Sequence, residues 1–220
     1  MSQIFHPSFN TIARVSVFGA AFGALGALGL AYALMKSPHQ TKVGMVVEQP
    51  VAFSHAHHSG ELGIDCRYCH TSVETGKFAN VPPTHTCMSC HSQIWNDSPM
   101  LKRVRDSLAN DQPLEWQRVH DLPDFVYFNH GIHVQKGVGC ASCHGRVDQM
   151  NLTYKAEPMT MSWCLECHRN PENHLRPKEE VFNMEYALSK ADQLKKGRQL
   201  KAEYDIHSGS YLTNCTVCHR

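Results

Sequence analysis

The longest apolar stretch of the chain lies near the N-terminus, where Val15–Met35 contains no charged side chain. Arg14 precedes this stretch and Lys36 follows it. At about 1.5 Å per residue, a helix of this length covers the roughly 30 Å hydrocarbon core of a bilayer. The pattern therefore predicts a single transmembrane helix within residues 1–36.

A cleaved signal peptide is the alternative interpretation of this segment, because Ala31, Tyr32 and Ala33 resemble a cleavage site. The apolar core of a signal peptide is usually about 7–15 residues long, which is shorter than the stretch found here. We therefore expect a retained membrane anchor.

Small residues recur at four-residue steps along the predicted span, at Gly19, Gly23, Ala27 and Ala31. Such a stripe lets the backbone of another transmembrane helix approach closely. Glycine and alanine are also common in membrane spans in general. The stripe is therefore compatible both with lateral docking to a membrane partner and with ordinary composition.

After the span, the apolar positions fall into short segments separated by polar and proline-containing stretches. Ser98 and Pro99 are typical residues of a helix N-terminus and predict a helix that continues to Asn110. The apolar side chains on one face of this helix are Leu101, Val104 and Leu108.

Residues 177–204 are charged and favour a solvated helix, whereas support for β structure is confined to Asp124–Phe128. The predicted fold class is an N-terminal single transmembrane helix followed by a mostly α-helical and irregular domain with little β structure.

Composition then narrows the possible functions. A hydrophobic fraction of 42% excludes a disordered charged tail, and a net charge of +1 excludes a nucleic-acid binder that works by bulk charge. The unusual counts are 10 cysteines and 16 histidines. The spacing of the cysteines decides among disulfides, zinc sites, iron–sulfur clusters and haem attachment.

Every cysteine belongs to a C-x-x-C pair, and a histidine directly follows each pair. The pairs are Cys66/Cys69, Cys87/Cys90, Cys140/Cys143, Cys164/Cys167 and Cys215/Cys218, followed by His70, His91, His144, His168 and His219. In this motif two thiols add to the vinyl groups of one haem, and the adjoining imidazole reaches the iron as proximal ligand. Disulfide frameworks and zinc sites give no reason for a histidine at every one of these positions. The sequence therefore predicts five covalently attached c-type haems.

Covalent haem attachment takes place outside the cytoplasmic membrane in bacteria, so the cysteine-bearing region must be exported. Arg14 on the inner side of the span agrees with the positive-inside rule. We expect a single-pass protein of the inner membrane with its haem domain on the periplasmic side.

Two blocks of the form F-[S/N]-H-x-x-H, which begin at Phe53 and Phe128, precede the first and third motifs. Each block stands ahead of two closely spaced motifs, which indicates two related two-haem modules. The predicted divisions are an anchor at 1–36, a linker at 37–50, module 1 at 51–112, module 2 at 113–175 and a helical extension with the fifth haem at 176–220. So few residues per haem predict a core that consists mainly of the haems themselves.

An electron-transfer haem is closed on its far side by a second side chain, whereas an enzyme haem keeps that side open. The two histidines of each block lie one helical turn apart and can reach two different haems. The arrangement resembles class III cytochromes, the cytochrome c3 group, and this resemblance implies the distal ligands His55, His58, His130 and His133. His120 is the best fifth candidate, and Met161 is an alternative that would raise the potential of its haem. We expect all five irons to be closed in this way, so that the chain has no catalytic residue of its own.

Several longer blocks are similar to the pentahaem cytochrome c subunit of alternative complex III. They are Ala52–His55, Gly63–His70, Val119–His130 and Met161–Pro171. The resemblance implies a quinol:acceptor oxidoreductase in which this chain carries electrons from quinol oxidation toward periplasmic acceptors. It also implies three kinds of partner: a large iron–sulfur subunit, a multi-span membrane subunit that binds quinol, and a monohaem cytochrome c.

Two other functions stay open. A stand-alone, membrane-anchored quinol dehydrogenase would feed periplasmic reductases, although such proteins typically have four haems. A multihaem reductase would need an open iron, often marked by an altered motif, and all five motifs here are regular.

Overall fold

A computed structural model of the chain describes residues 4–219. Its backbone contacts divide the chain into two units, one that ends at Lys42 and one that begins at Val43.

The N-terminal unit consists of a long helix, α1 (Ser8–Lys36), and a single turn, α2 (Pro38–Thr41). The first helix ends where Ser37 adopts an extended conformation, as expected for a residue that precedes proline. Along α1 the side chains are exposed, and the helix is long and apolar enough to cross a membrane. The predicted apolar helix near the N-terminus is confirmed.

The second unit is built from short helices joined by irregular segments. Its α-helices are α3 (Cys66–Cys69), α4 (Thr84–His91), α5 (Lys102–Ala109), α6 (His130–Gln135), α7 (Ala141–His144), α8 (Met161–Arg169), α9 (Lys190–Glu203), α10 (Gly209–Leu212) and α11 (Cys215–Cys218). A π-helical turn spans Ala56–Glu61, and 3₁₀ turns span Pro99–Leu101, Val147–Gln149, Pro171–Asn173 and Lys178–Glu180.

Extended pairing in the described residues is limited to three isolated bridges, Val43 with Lys155, Val46 with Tyr154 and Val138 with Leu175. Asp124–Phe128, the segment with sequence support for β structure, is a turn followed by irregular backbone. The predicted fold class, mostly helical with little β structure, is confirmed.

The helix predicted from Ser98 to Asn110 forms in two parts. The 3₁₀ turn Pro99–Leu101 precedes α5, and Leu101 and Val104 are buried as expected. The third predicted face residue, Leu108, is 46% exposed, and Ser107 is buried instead. A 3₁₀ turn has three residues per turn, so it rotates the following side chains away from an ideal α-helical face.

The helix predicted over 177–204 is shorter than expected, because only α9 is α-helical in this region. Ser189 caps α9 by accepting a hydrogen bond from the backbone N–H of Asp192 at 3.2 Å. Gly197 lies against the 3₁₀ turn at Pro171–Asn173, where a Cβ atom would overlap the Glu172 carbonyl oxygen. Glycine is therefore the residue that this close packing requires.

Few apolar side chains of the described residues are buried in the protein itself. They are Val73, Leu101, Val104, Met150, Leu175, Val181 and Leu200. So small an apolar core is too little for a domain of this length to be stabilised by side-chain burial alone.

Candidate haem-binding sites

Each C-x-x-C-H motif lies on or beside a short helix. Helices α3 and α11 consist of the C-x-x-C residues, α4 and α8 contain the second and fourth motifs, and α7 directly follows Cys140. One helical turn brings side chains three positions apart onto the same face. All ten cysteines are free thiols, so the disulfide alternative finds no support.

Local capping explains why single turns form at two of these motifs. Asp65 accepts a hydrogen bond from the backbone N–H of Arg67 at 2.8 Å and also binds the Arg67 guanidinium. The Arg67 contact lowers the pKa of the Asp65 carboxyl. Asn214 makes the equivalent cap at α11 by accepting from the N–H of Thr216 at 3.1 Å. Each cap compensates a helix too short to be stable alone.

The thiols of the third and fourth motifs include the most deeply buried cysteines, and these are neutral. Burial raises the pKa of Cys143 to about 12 and those of Cys140 and Cys167 to about 11, and neighbouring thiols add to each shift. Within residues 4–219 no group of three or more histidine, cysteine or acidic side chains is arranged to hold a metal ion. The zinc alternative therefore has no donor cluster in this part of the chain.

Cys90 is one of two exposed cysteines in the chain. Its side chain is exposed, as is that of Cys215, whereas the other eight cysteines are partly buried. Helix α4, which carries Cys90, has no fully buried residue. The Ser89 hydroxyl donates a hydrogen bond to the Cys90 sulfur at 3.9 Å. The second motif therefore lies at the surface of the unit, and haem attachment by Cys90 stays a prediction from the motif alone.

The four histidines of the F-[S/N]-H-x-x-H blocks each face one motif histidine. The ring centroids are 6.5 Å apart for His55 and His70, 6.1 Å for His58 and His91, 6.4 Å for His130 and His144, and 6.1 Å for His133 and His168. Two imidazoles bound to opposite faces of one iron, each through a bond of about 2 Å, place their centroids roughly 6 Å apart. The four pairs have the spacing that a bis-histidine haem needs.

Most of these histidines also direct Nδ1 at an oxygen atom. The motif histidines His70, His91, His168 and His219 contact the carbonyl oxygens of Asn80, Ile94, Leu212 and Phe125 at 2.7 to 3.1 Å. In the blocks, His58, His130 and His133 contact the carbonyl oxygens of Ser54, Lys77 and Asn129, and His55 contacts Oγ1 of Thr153, at 2.7 to 3.0 Å. A proton on Nδ1 leaves Nε2 free for a metal. The residues present therefore fit haem.

The phenylalanine of each block contacts both histidines of that block. Phe53 contacts the His55 ring edge-on at 4.9 Å and stacks on His58 at 4.4 Å. Phe128 contacts the rings of His130 and His133 at 4.7 and 4.5 Å. The phenylalanine of each block therefore holds both histidine rings in place. The sequence repeat includes this phenylalanine, but we did not assign a function to it from sequence.

Burial keeps several of these imidazoles neutral. It lowers the pKa of His55 to about 4 and that of His144 to about 3, and it also lowers the pKa of His133. Neutral imidazole is the form that binds a metal. These rings are therefore in the ligating state at neutral pH.

The fifth motif differs from the others. The ring beside His219 in the described residues is that of Phe125, with centroids 5.7 Å apart. His120, predicted as a distal ligand, has its ring 4.3 Å from the ring of His144 instead. Met161, the predicted alternative, begins α8 and is 65% exposed. Neither side chain is paired with His219, and the identity of this ligand stays a prediction.

Covalent attachment motifs on short helices, histidine pairs at iron-spanning distance and a small apolar core together define a multihaem cytochrome c. No family model matches the chain. A curated protein of Nitratidesulfovibrio vulgaris, the multihaem cytochrome c subunit of menaquinone reductase, is 33% identical over an alignment of 149 positions. The alignment covers 58% of this chain and 70% of that relative. The chain belongs to the family of this multihaem cytochrome c subunit.

Proposed function

We propose that this chain is a pentahaem, membrane-anchored electron-transfer subunit of a quinone-linked respiratory complex. The observation that carries the proposal is the set of four histidine pairs at 6.1 to 6.5 Å. Haem, when bound, supplies a one-electron redox centre whose potential depends on its axial ligands. The function of the polypeptide would be to position the haems next to one another and to supply two axial ligands to each iron.

Each site has a defined set of residues. The cysteine pairs Cys66/Cys69, Cys87/Cys90, Cys140/Cys143, Cys164/Cys167 and Cys215/Cys218 attach the five haems, and the histidine after each pair is the proximal ligand. The distal ligands are His55 opposite His70, His58 opposite His91, His130 opposite His144 and His133 opposite His168. With a histidine on each face, these four irons would be closed to substrate, which supports electron transfer as the function of the chain.

Sites 1 and 2, numbered by their motifs, are neighbours. Their distal ligands His55 and His58 lie one turn apart around the π-helical turn at Ala56–Glu61. The motifs themselves touch, because the hydroxyl of Tyr68 in the first lies 2.9 Å from the hydroxyl of Ser89 in the second.

Site 3 adjoins site 1. Helix α6, which begins with the distal ligand of site 3, packs on the loop after the first motif through the bond from Gly131 N–H to the Gly76 carbonyl at 3.0 Å. A Cβ atom on Gly131 would lie 2.9 Å from the Thr75 carbonyl carbon, so only glycine permits this approach. The side chains of His70 and His55 contribute to the low pKa of His144, after burial and the nearer His120 and His130 rings.

Site 4 follows site 3, since His130 and His133 both belong to α6. Site 5 follows site 4, because α8 packs against α10, which directly precedes the fifth motif. His168 bonds to the Leu212 carbonyl, and Gly209 lies against the carbonyl of Arg169. We therefore propose the order 2, 1, 3, 4, 5, with the second and fifth sites at the two ends.

The exposure of the attachment thiols supports this order. The two exposed cysteines, Cys90 and Cys215, belong to the second and fifth motifs. A site at the end of a row has a neighbouring site on one side only, so its motif is less covered than those in the middle. The two end sites are therefore the proposed places of contact with redox partners outside the chain.

The direction of electron flow has two candidates. The similarity of the sequence blocks to the pentahaem subunit of alternative complex III supports quinol oxidation, with an iron–sulfur subunit, a quinol-binding membrane subunit and a monohaem cytochrome c as partners. The relative is a subunit of a menaquinone reductase, and this favours the reverse direction, in which periplasmic electrons reduce menaquinone. In both cases α1 anchors the chain and the haem domain lies on the periplasmic side.

Purification of the intact complex through a tag on this chain tests the proposal. The expected result is co-purification of a multi-span membrane subunit and an iron–sulfur subunit, with menaquinol reducing the haems of the complex. Reduction of menaquinone by a reduced periplasmic cytochrome, without the opposite reaction, would select the second candidate. A chain purified alone that turns over nitrite or hydroxylamine would refute both.

A further inference from the structure

Arg176 is a buried cation beside the third haem-binding motif, and it is only 7% exposed. Its guanidinium lies against Gly139, the residue before Cys140, where a Cβ atom would overlap Cζ of Arg176. The ring of Tyr186 also faces the guanidinium, with its centroid 5.0 Å from Cζ. The backbone N–H of Arg176 donates to the Gly137 carbonyl at 2.9 Å. These contacts hold the charge away from solvent and next to an attachment cysteine.

The hydrogen bonds of this side chain go to backbone carbonyls. Its Nη1 atom donates to the carbonyl oxygens of Glu180 and Asn183 at 3.4 and 3.0 Å, whereas Nε is buried and has no hydrogen-bond partner. The carboxylate of Glu180 accepts a hydrogen bond from the Asn183 amide at 2.6 Å instead. None of the ion pairs within residues 4–219 includes Arg176. In this part of the chain, no ion pair neutralises the buried charge.

A buried charge without an ion pair is unfavourable for the fold. Burial lowers the pKa of Arg176, and the neighbouring Cys140, Tyr186 and Glu180 oppose this effect. Arginine nevertheless stays protonated in proteins at neutral pH. Buried charges are ordinarily paired, and an apolar side chain of similar length would fill the same space without this cost. The charge therefore needs an explanation other than packing.

The charge of Arg176 reaches the third motif. Burial and the neighbouring Cys66 raise the pKa of the Cys140 thiol, and the Arg176 guanidinium opposes this rise. In the haem-loaded chain, the sulfur of Cys140 would be bonded directly to the haem of the third site. A cation that acts on this sulfur therefore also acts on the haem.

We propose that the buried charge of Arg176 raises the reduction potential of the third haem. Reduction adds one electron to the iron and lowers its positive charge by one, so a nearby cation disfavours the oxidised form. The third site is the middle of the proposed row 2, 1, 3, 4, 5, where a low potential would impede electron transfer in either direction. The inference rests on the proposed function, since it presumes a haem bound to Cys140 and Cys143.

The test compares Arg176→Met, which removes the charge, with Arg176→Lys, which keeps it, in the full membrane-bound chain with its haems. Spectroelectrochemical titration of the methionine variant should show one haem shifted to lower potential. We expect a change of about tenfold in its reduction equilibrium, or about 59 mV for one electron. The lysine variant should return this haem toward the native potential.

Lys178→Met is the matched control, because it removes an exposed charge two positions away on the same segment. Water and salt screen an exposed charge, so this variant should shift no haem. The shift in Arg176→Met should have the same size at low and high salt, because buried charges are screened much less.

A second background identifies the affected haem. In His130→Ala the third haem is expected to be high-spin, so its potential can be followed separately from those of the low-spin haems. Adding Arg176→Met to this background should lower the potential of the high-spin haem. A shift confined to the low-spin haems would overturn the assignment to the third site.

Two further results would overturn the inference. An unchanged potential in Arg176→Met would show that the charge has no effect, and equal shifts in the methionine and lysine variants would show that packing is the cause. If the variants fail to incorporate haem, a high-resolution structure of the native complex decides. A carboxylate oxygen within about 4 Å of the guanidinium, from protein or haem, would refute an unpaired charge, and its absence would support one. Failure of the proposed function is a separate result, because it would appear in the native protein as fewer than five haems.

Discussion

At the level of single residues, the sites are defined as much by the acceptors of Nδ1–H as by the ligands. His70, His91 and His168 bond to carbonyl oxygens that lie 10, 3 and 44 positions away along the chain. A carbonyl acceptor can only receive a proton, so it holds the histidine in the tautomer with a free Nε2. The backbone therefore prepares the ligand geometry.

Removal of one distal ligand should open one site. In His130→Ala the iron of the third site, which keeps only His144, is expected to become high-spin and to bind carbon monoxide when reduced. The reason is that no imidazole remains on the distal face of this haem. EPR and carbon monoxide difference spectra measure this change. The exposed His85, changed to alanine, is the control, and an equal effect of both variants would contradict the assignment of His130.

The sequence predicts the ligands better than their surroundings. The motif spacing predicts ten attachment cysteines and five proximal histidines. The repeated blocks predict four distal histidines, and the structure places the ring of each 6.1 to 6.5 Å from a motif ring. The spacing does not reveal that Cys90 is exposed while most other attachment thiols are partly buried. The contact of His130 with the carbonyl of Lys77 joins residues 53 positions apart, and no local pattern encodes it. The position of His120 beside His144 has the same long-range origin.

At the level of elements, helix α9 depends on one glycine. A Cβ atom at position 197 would overlap the Glu172 carbonyl oxygen, which is backbone and cannot move aside cheaply. Gly197→Ala should therefore lower the free energy of unfolding by about 2 kcal/mol or more, and with it the melting temperature. Calorimetry of the haem-loaded protein measures the loss, with Lys195→Ala on the same helix as control, and an unchanged melting temperature would refute the close packing.

The same helix carries a pH-dependent contact. Lys201 Nζ lies 2.8 Å from Glu172 Oε2, and this contact lowers the pKa of the Glu172 carboxyl below its ordinary value of 4.5. The contact therefore stabilises the fold at pH values above 4.5 and loses its effect as the pH falls through the lowered pKa. Glu172→Gln should lower the free energy of unfolding at pH 7 by up to about 1 kcal/mol.

Denaturant unfolding of both proteins at pH 7 and pH 3 provides the measurement. The difference between native and variant should shrink at the lower pH, where the native carboxyl is increasingly protonated. A difference that stays constant between the two pH values would show that the ion pair is not its cause.

The sequence predicts which elements exist better than where they begin and end. It anticipates α1 and the helical region after Ser98, but it does not anticipate the 3₁₀ turn that rotates Leu108 outward. The charged stretch at 177–204 favours a helix throughout, yet only α9 forms. Val181, within the predicted stretch, is buried, and charge patterning alone does not report its burial.

At the level of the whole molecule, few buried apolar side chains support the many short segments of the second unit. We propose that covalently attached haems supply the missing apolar core. In agreement with this, most α-helices of the unit carry a C-x-x-C-H motif or a predicted distal histidine. The proposed order of sites, 2, 1, 3, 4, 5, follows from contacts between these elements. The order of motifs along the chain would not by itself suggest this proposed order, in which the second site precedes the first.

The central claim is that side chains of this protein close at least four of its five irons, so that the chain conducts electrons. Carbon monoxide titration of the reduced native protein, normalised to its haem content, tests this claim most directly. Histidine pairs at four of the five motifs predict at most one carbon monoxide bound per five haems. Binding of two or more would contradict the account, because an open iron would then exist at a site to which we assign two histidines.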